Sequence, residues 1–265
     1  RKFLSVLLGS ASAGVAFPWL LKPRQPTPKG LPQFYQAQRQ MMGTWVSIAV
    51  FSHDQTNAFK AIHEALNAMG TIDELMSIHR QDSQVSRINA LAGKDMISVD
   101  PQLIHVLQLA QAYSKKSRGA YDITLLPLLK LFGFYGQPPT KVPSDKKIAS
   151  TLESVSYRHI VIDHEHHQVG LHKNGAAIDL GSIGKGFAVD CATKILRQHN
   201  IRSALVNAGG NIYAIGAPHD DPDPKSGWRI GIKNPSSSSR TPIFDTLILR
   251  DQAVATSGNY ENKIF

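Results

Sequence analysis

Residues 176–199, AAIDLGSIGKGFAVDCATKILRQH, join a strand pattern, a glycine-rich turn and a helical pattern without a break. The pattern predicts a strand at 176–180, ending at Asp179 and Leu180, and a helix at 183–199. A helix that begins directly after such a turn presents free backbone N–H groups and the positive end of its dipole. The segment therefore suits a phosphate or pyrophosphate group.

Two side chains in this segment fit that chemistry. Lys185 falls in the first helical turn, where its ammonium group can meet a phosphate oxygen, and Asp179 can accept a hydrogen bond from a ring N–H or a ribose hydroxyl. The spacing Gly181-x-x-Gly184-x-Gly186 is not the dinucleotide pattern G-x-G-x-x-G, nor does the segment contain a Walker lysine-serine pair. A tight turn whose glycines serve only packing remains the alternative interpretation.

Outside this segment, helices and strands interleave without the regular strand-then-helix order of a doubly wound sheet. Apolar periodicity predicts helices at 57–77, 82–89 and 103–113, after Thr124, and after Ser144. Strand patterns occur at 43–51, 160–163, 169–171, 204–208, 211–216, 228–233, 246–250 and 253–256. We therefore predict the α+β class, with mixed, largely antiparallel sheets and packed helices.

The composition is that of a folded soluble protein, with 265 residues, 42% hydrophobic and 18% charged. Of its formal charge of +9, six units lie in residues 1–40, which contain no acidic residue, and this leaves +3 for the remainder. A remainder so close to neutral lacks the basic face that binding to a phosphate backbone requires, so no nucleic-acid partner is predicted.

The N-terminal residues 1–32 resemble an export signal and a Pro-rich linker. A basic start precedes an apolar run that is interrupted by small residues and Pro18, and Arg1-Lys2-Phe3-Leu4-Ser5 resembles the end of a twin-arginine signal. We expect export to the periplasm of a bacterium. The alternative is an uncleaved anchor at 3–21, which would hold the protein in the inner membrane with its bulk facing the periplasm.

Three further segments place polar groups at turns or helix ends. Residues 119–133, GAYDITLLPLLKLFG, set an aromatic and a carboxylate before a helix, where Asp122 could be a simple cap. Residues 76–89 place His79 at the exit of a long helix, where a polar helix end is the alternative. Residues 207–211, NAGGN, predict a turn with positive φ between two strands.

Three other features favour structural interpretations. The histidine-rich stretch at 164–167 could bind metal, but its position between two strands favours a solvated hairpin tip. The acidic stretch at 220–224 lacks the glycine and glutamate of a calcium loop. Cys191 is the single cysteine, so no internal disulfide forms, and its helical pattern predicts a buried small side chain.

In combination, these segments resemble the ApbE-type FAD:protein FMN transferases. The resemblance runs through nearly all of the mature chain, at 42–44, 77–89, 119–122, 179–190, 207–210, Trp228 and 255–260. It implies an ApbE-like fold that binds FAD in a cleft, with Mg²⁺ at the pyrophosphate. It also implies a transferase reaction, in which a threonine hydroxyl of an acceptor protein attacks the FMN-side phosphorus of FAD and AMP leaves.

The resemblance assigns roles to residues at matching positions. The backbone carbonyl of Ser182 would be a ligand of Mg²⁺. His79 stands where the family usually has a tyrosine that stacks on the flavin, and an imidazole offers less stacking area and can become charged near neutral pH. The residues expected to contact FAD are Met42, His79, Ala120, Tyr121, Asp122, Asp179 and Lys185.

The resemblance also sets expectations for the protein as a whole. Residues 33–265 would form the flavin transferase domain without its C-terminal part, because the family continues with further metal ligands. The acceptor would be a subunit of a membrane redox complex. A periplasmic FAD-binding carrier that transfers nothing, and a pyrophosphatase that splits FAD into FMN and AMP, remain the alternatives.

Overall fold

The structure is a computed structural model that describes residues 30–135, 139, 141–234 and 243–257. The chain packs as two compact units: unit 1 comprises the described residues up to 70 and from 188 onward, and unit 2 comprises those between 71 and 187. The export signal and linker predicted at 1–32 lie almost wholly outside the described residues. Among the helices that are described, none has the length and apolar character needed to cross a bilayer.

The described elements follow one another in an irregular order of strands and helices. In chain order they are β1 (Gln33–Met41), β2 (Thr44–Ser52), α1 (Gln55–Met76), α2 (Gln84–Ala90), β3 (Met96–Ser98), α3 (Pro101–Lys116), α4 (Leu126–Leu131), α5 (Asp145–Leu152), β4 (Ile160–Asp163), β5 (Gln168–Leu171), α6 (Gly184–Gln198), β6 (Ser203–Ala208), β7 (Asn211–Ile215), β8 (Trp228–Lys233), β9 (Ile243–Leu249) and β10 (Gln252–Ala255). The boundary between the two units falls within α1 and within α6.

Unit 1 is built on a five-stranded antiparallel sheet in the order β1-β2-β6-β7-β10. Strand β6 is buried along its whole length, since it lies in the middle of this sheet. One face of the sheet packs against the two-stranded ribbon β8-β9 in a cluster that contains Ala49, Phe51, Leu205, Ile212, Ala214, Trp228, Ile230 and Leu249. Burial of these apolar side chains is the main favourable contribution to the stability of this layer.

Unit 2 combines a three-stranded antiparallel sheet, β3-β5-β4, with helices α2 to α5. Helices α2, α3 and α5 begin at side-chain caps. The Ser83 hydroxyl accepts a 3.0 Å hydrogen bond from the N–H of Ser86 at the start of α2, and the Asp100 carboxylate caps α3. Such caps satisfy N–H groups that have no partner within the helix, so they fix where each helix begins.

The predicted α+β class is confirmed, since every pair of named strands is antiparallel. Strands β1 and β3 were not predicted. The strand predicted at 176–180 is wrong: it makes one isolated bridge, between Ala177 and Leu125. In place of a neighbouring strand, the side-chain amide of Asn89 bonds the backbone of Ile178. The N–H of Ile178 donates a 2.7 Å hydrogen bond to Oδ1 of Asn89, and the carbonyl oxygen of Ile178 accepts a 2.9 Å hydrogen bond from Nδ2 of Asn89.

Candidate functional site

The turn that leads into α6 leaves backbone N–H groups open. The N–H groups of Ile183 and Gly184 both bond the carbonyl oxygen of Leu180, at 3.0 and 2.7 Å. By contrast, those of Ser182, Lys185 and Gly186 have no hydrogen-bond partner in the part of the chain that the structure describes. A Cβ built on Gly186 would meet nothing within 4 Å, so space remains open there. Such a helix start is suited to an anion.

The carboxylate of Asp179 is held by two donors beside this turn. Its Oδ1 accepts a 2.9 Å hydrogen bond from the N–H of Gly181, and its Oδ2 accepts a 2.6 Å hydrogen bond from the hydroxyl of Tyr135. The N–H of Asp179 itself bonds the carbonyl oxygen of Ile123 at 2.8 Å. Asp179 is thus fixed both through its backbone and through its side chain.

Lys185 lies in the first turn of α6, as predicted. Its Nζ donates a 3.1 Å hydrogen bond to the carbonyl oxygen of Gly181, within the same turn. The neighbouring Ser182 is exposed, and its hydroxyl oxygen lies 3.0 Å from that of Tyr121. The turn therefore brings an ammonium group, two hydroxyls and open backbone N–H groups into one region of unit 2.

Asp122 supports the loop that carries Tyr121. Its Oδ1 accepts hydrogen bonds from the N–H and hydroxyl of Thr124, at 2.8 and 2.6 Å, and its Oδ2 accepts one from the N–H of Tyr157 at 2.7 Å. Helix α4 begins after Leu125 without a side-chain cap, so Asp122 does not cap that helix. Ala120 is exposed in the same loop. The predicted contacts of Ala120 and Asp122 with FAD stay predictions.

His79 follows the end of α1 and is exposed. Its ring centroid lies 5.6 Å from that of Tyr135, with the ring planes inclined by 65°. Because the contact is edge to face, it leaves part of this aromatic surface open for a planar ligand. His79, Tyr135 and Asp179 thus form a continuous chain of contacts.

Two of the predicted segments lie in unit 1. Met42 and Gly43 form the two-residue turn between β1 and β2, both with positive φ, of 55° and 69°. In the turn between β6 and β7, Gly209 and Gly210 also have positive φ, and the side chain of Asn207 accepts a 2.9 Å hydrogen bond from the N–H of Gly210. The prediction of positive φ at 207–211 is confirmed, whereas the predicted contact of Met42 with FAD stays a prediction.

The sequence did not single out Tyr135 or Asn89. Tyr135 follows the segment 119–133 by two positions, and Asn89 closes the segment 76–89. Their partners are distant in sequence, at separations of 44 and 89 residues, so local patterns do not indicate them. The aromatic residues around Gly133 were the available signal for Tyr135.

The two tyrosines of this region remain protonated. Burial, followed by the hydrogen bond to Asp179, raises the pKa of Tyr135 far above its ordinary value. Burial also raises the pKa of Tyr121, against a smaller opposing effect of the bond to Ser182. Both hydroxyls are therefore available as hydrogen-bond donors at neutral pH.

The described residues offer few ligands to a divalent ion. No group of three or more His, Cys, Asp or Glu side chains that could hold a metal occurs among them. Ser182 lies at the exposed turn, and the predicted role of its backbone carbonyl as a ligand of Mg²⁺ stays a prediction. Mg²⁺ typically keeps several waters and binds through substrate phosphates and one or two carboxylates, so a single carbonyl at this turn fits such an ion as a partial ligand set.

The other polar segments have structural partners. At the hairpin tip, Nδ1 of His166 lies 2.8 Å from Oδ2 of Asp163. Near the acidic stretch 220–224, Nη1 of Arg250 bonds the carbonyl oxygens of Asp221, Asp223 and Ser226, at 3.1, 2.9 and 3.3 Å. Cys191 is half-buried, and burial raises the pKa of its thiol.

Comparison with known proteins gives consistent matches. The model of the ApbE family matches residues 42–264. A protein of Klebsiella pneumoniae (strain 342), named FAD:protein FMN transferase, is 29% identical over 229 residues, which cover 86% of this chain and 67% of that protein. A protein of the same name from Treponema pallidum (strain Nichols) is 30% identical over 237 residues, covering 86% of this chain and 65% of that protein.

A solved structure has the same fold. The ApbE protein from Thermotoga maritima superposes with a TM-score of 0.76 at 33% sequence identity, covering 86% of this chain and 72% of that one. The chain spans about two thirds of the length of the two curated relatives, at 67% and 65%. These matches extend over both units, since residues 42–264 include nearly all that is described.

Proposed function

The chain belongs to the ApbE family, and on that premise we propose that the full-length protein is an FAD:protein FMN transferase. The threonine hydroxyl of an acceptor protein displaces AMP from the FMN-side phosphorus of FAD. The oxygen–phosphorus bond to threonine forms, and the threonine O–H bond and the bond between that phosphorus and the bridging oxygen break. AMP leaves with the bonding electron pair, and the threonine proton is released to the solvent. The names of the curated relatives support this reaction class.

The open helix start is the observation that carries the proposal. Among the described residues, the N–H groups of Ser182, Lys185 and Gly186 have no partner where the turn leads into α6, and the ammonium group of Lys185 lies in the first turn of that helix. Phosphoryl transfer depends mainly on positioning and on neutralising charge at the phosphates. These groups would hold the pyrophosphate of FAD, with Lys185 moving its bond from the carbonyl of Gly181 to a phosphate oxygen.

The neighbouring side chains would hold the rest of the ligand. The exposed ring of His79 would pack on the flavin, and Asp179 would accept a hydrogen bond from the flavin. The link between Tyr121 and Ser182 would keep the turn in place against the loop at 119–122. When bound, Mg²⁺ would neutralise the pyrophosphate, with the carbonyl of Ser182 as one of its ligands.

The location and acceptor are further parts of the proposal. The basic and then apolar pattern of residues 1–32 supports export to the periplasm. The acceptor would be a subunit of a membrane redox complex, which only the family resemblance supports. Cell fractionation tests the location, and recovery of the protein in the cytoplasm would contradict it.

The direct test is a flavinylation assay. The full-length protein is incubated with FAD, Mg²⁺ and a threonine-bearing acceptor, and flavin fluorescence is recorded in a denaturing gel. We expect a covalently labelled acceptor and an equal amount of AMP from the full-length protein. Bound FAD with neither product would support the carrier, and free FMN with AMP would support the pyrophosphatase. The same acceptor with its threonine changed to alanine is the matched control.

A further inference from the structure

We infer that Tyr135 is a positioning residue of the flavin site, which fixes the carboxylate of Asp179 toward the isoalloxazine ring and supplies aromatic surface beside His79. This inference rests on the proposed function. It assigns the flavin end of the ligand to the region around His79, Tyr135 and Asp179.

The hydrogen bond between Tyr135 and Asp179 has the features of a strong one. Its length is 2.6 Å, and it joins a neutral hydroxyl to a carboxylate. Bonds of that kind are shorter and about twice as strong as those between neutral groups. Burial and this bond raise the pKa of Tyr135, so at neutral pH the hydroxyl keeps its proton and donates the hydrogen bond to Asp179.

The bond leaves Asp179 able to bind a ligand. A carboxylate has about four acceptor positions on its two oxygens. One is used by Tyr135 and one by the N–H of Gly181. Among the described residues, each oxygen therefore keeps an acceptor position, while the two bonds remove the freedom of the carboxylate to rotate. A ligand N–H then meets an acceptor that is already oriented.

The ring of Tyr135 contributes aromatic surface, in addition to the hydrogen bond that its hydroxyl donates. Its plane is inclined by 65° to that of His79, at a centroid distance of 5.6 Å. Two rings at that angle form a corner and not a continuous platform. A planar ring stacked on His79 would meet Tyr135 edge to face, a favourable aromatic geometry. Tyr135 thus supplements the smaller stacking area of the imidazole.

Variants at Tyr135 separate the contribution of the hydroxyl from that of the ring. Tyr135→Phe removes the hydroxyl and keeps the ring, whereas Tyr135→Leu removes both. Phe134→Leu is the matched control, because Phe134 is the adjacent aromatic residue and is 53% exposed. Affinities for FAD, FMN and ADP are measured by calorimetry on the full-length protein, together with quenching of the flavin fluorescence and thermal unfolding.

We expect Tyr135→Phe to weaken binding of FAD and FMN by about fivefold, the effect of one lost hydrogen bond, with ADP binding unchanged. Tyr135→Leu should weaken flavin binding further and reduce the quenching of flavin fluorescence, which Tyr135→Phe should retain. Equal losses for FAD and ADP, or wild-type flavin affinity in both variants, would overturn the inference. Wild-type protein that binds no flavin would instead overturn the proposed function and the inference with it.

Discussion

The hydroxyl oxygens of Tyr121 and Ser182 lie 3.0 Å apart, although 61 positions separate these residues in the sequence. This contact joins the loop before α4 to the turn that opens α6. The Tyr121 hydroxyl keeps its proton because burial raises its pKa. Since the turn carries the open backbone N–H groups, its position relative to this loop bears directly on the proposed ligand site.

Replacing Tyr121 with phenylalanine removes this contact and keeps the ring. We expect the free energy of unfolding to fall by about 1 kcal/mol, the usual net value of one hydrogen bond, and FAD to bind less tightly. Denaturant unfolding and FAD titration provide the measurements. Tyr113→Phe is the control, since its ring lies 6.2 Å from that of Tyr121 without a bond to the turn. Equal behaviour of the two variants would contradict this role.

Much of the fold was predictable because local patterns reflect burial. The periodicity at 57–77 predicted α1, observed at Gln55–Met76, and alternation at 43–51 predicted β2, observed at Thr44–Ser52. Strand β1 escaped prediction for a physical reason. It lies at the edge of its sheet, so most of its side chains are exposed or only partly buried and its apolar alternation is weak.

The candidate site was predictable only in part. The glycine-rich turn, Lys185 and Asp179 carry local signals, because a helix start with a basic residue is visible in the sequence. Tyr135 and Asn89 act through partners 44 and 89 residues away, and nothing local specifies such contacts. The false strand at 176–180 has the same cause, since its backbone bonds a side chain in place of a neighbouring strand.

Asn89 therefore provides a test of how the extended segment before the turn is held. Asn89→Ala leaves the N–H and the carbonyl of Ile178 without their partner. We expect a loss of about 1–3 kcal/mol in the free energy of unfolding, because buried polar groups that lose their partners are costly. Arg87→Ala, on the exposed side of the same helix, should change stability by less than about 0.5 kcal/mol. Similar losses in both variants would show that the Asn89 bonds are not the cause.

Lys185 should affect transfer more than binding. Its ammonium group lies in the first turn of α6, and its bond to the carbonyl of Gly181 shows that it can reach across the turn. If it stabilises charge on the phosphates, Lys185→Ala should slow single-turnover flavinylation by about 100-fold at saturating FAD, as when one such donor is lost. Lys194→Ala, on the same helix, is the control. An unchanged rate would exclude this role of Lys185.

The pair formed by Glu64 and His199 should make the stability of unit 1 depend on pH. Oε2 of Glu64 lies 2.6 Å from Nε2 of His199, and this bond lowers the pKa of Glu64 below its ordinary value of 4.5. A carboxylate with a lowered pKa stabilises the folded state above its unfolded pKa, and the contribution disappears as the pH falls through the folded pKa.

Glu64→Gln should therefore lower the unfolding temperature at pH 7, and its difference from wild type should shrink as the pH falls below 4.5. The measurement is thermal unfolding in a series of buffers from neutral to acidic pH. Glu74→Gln, on the same helix, controls for loss of a carboxylate. A difference between Glu64→Gln and wild type that stays constant across the series would show that the ionised carboxylate of Glu64 does not contribute through this pair.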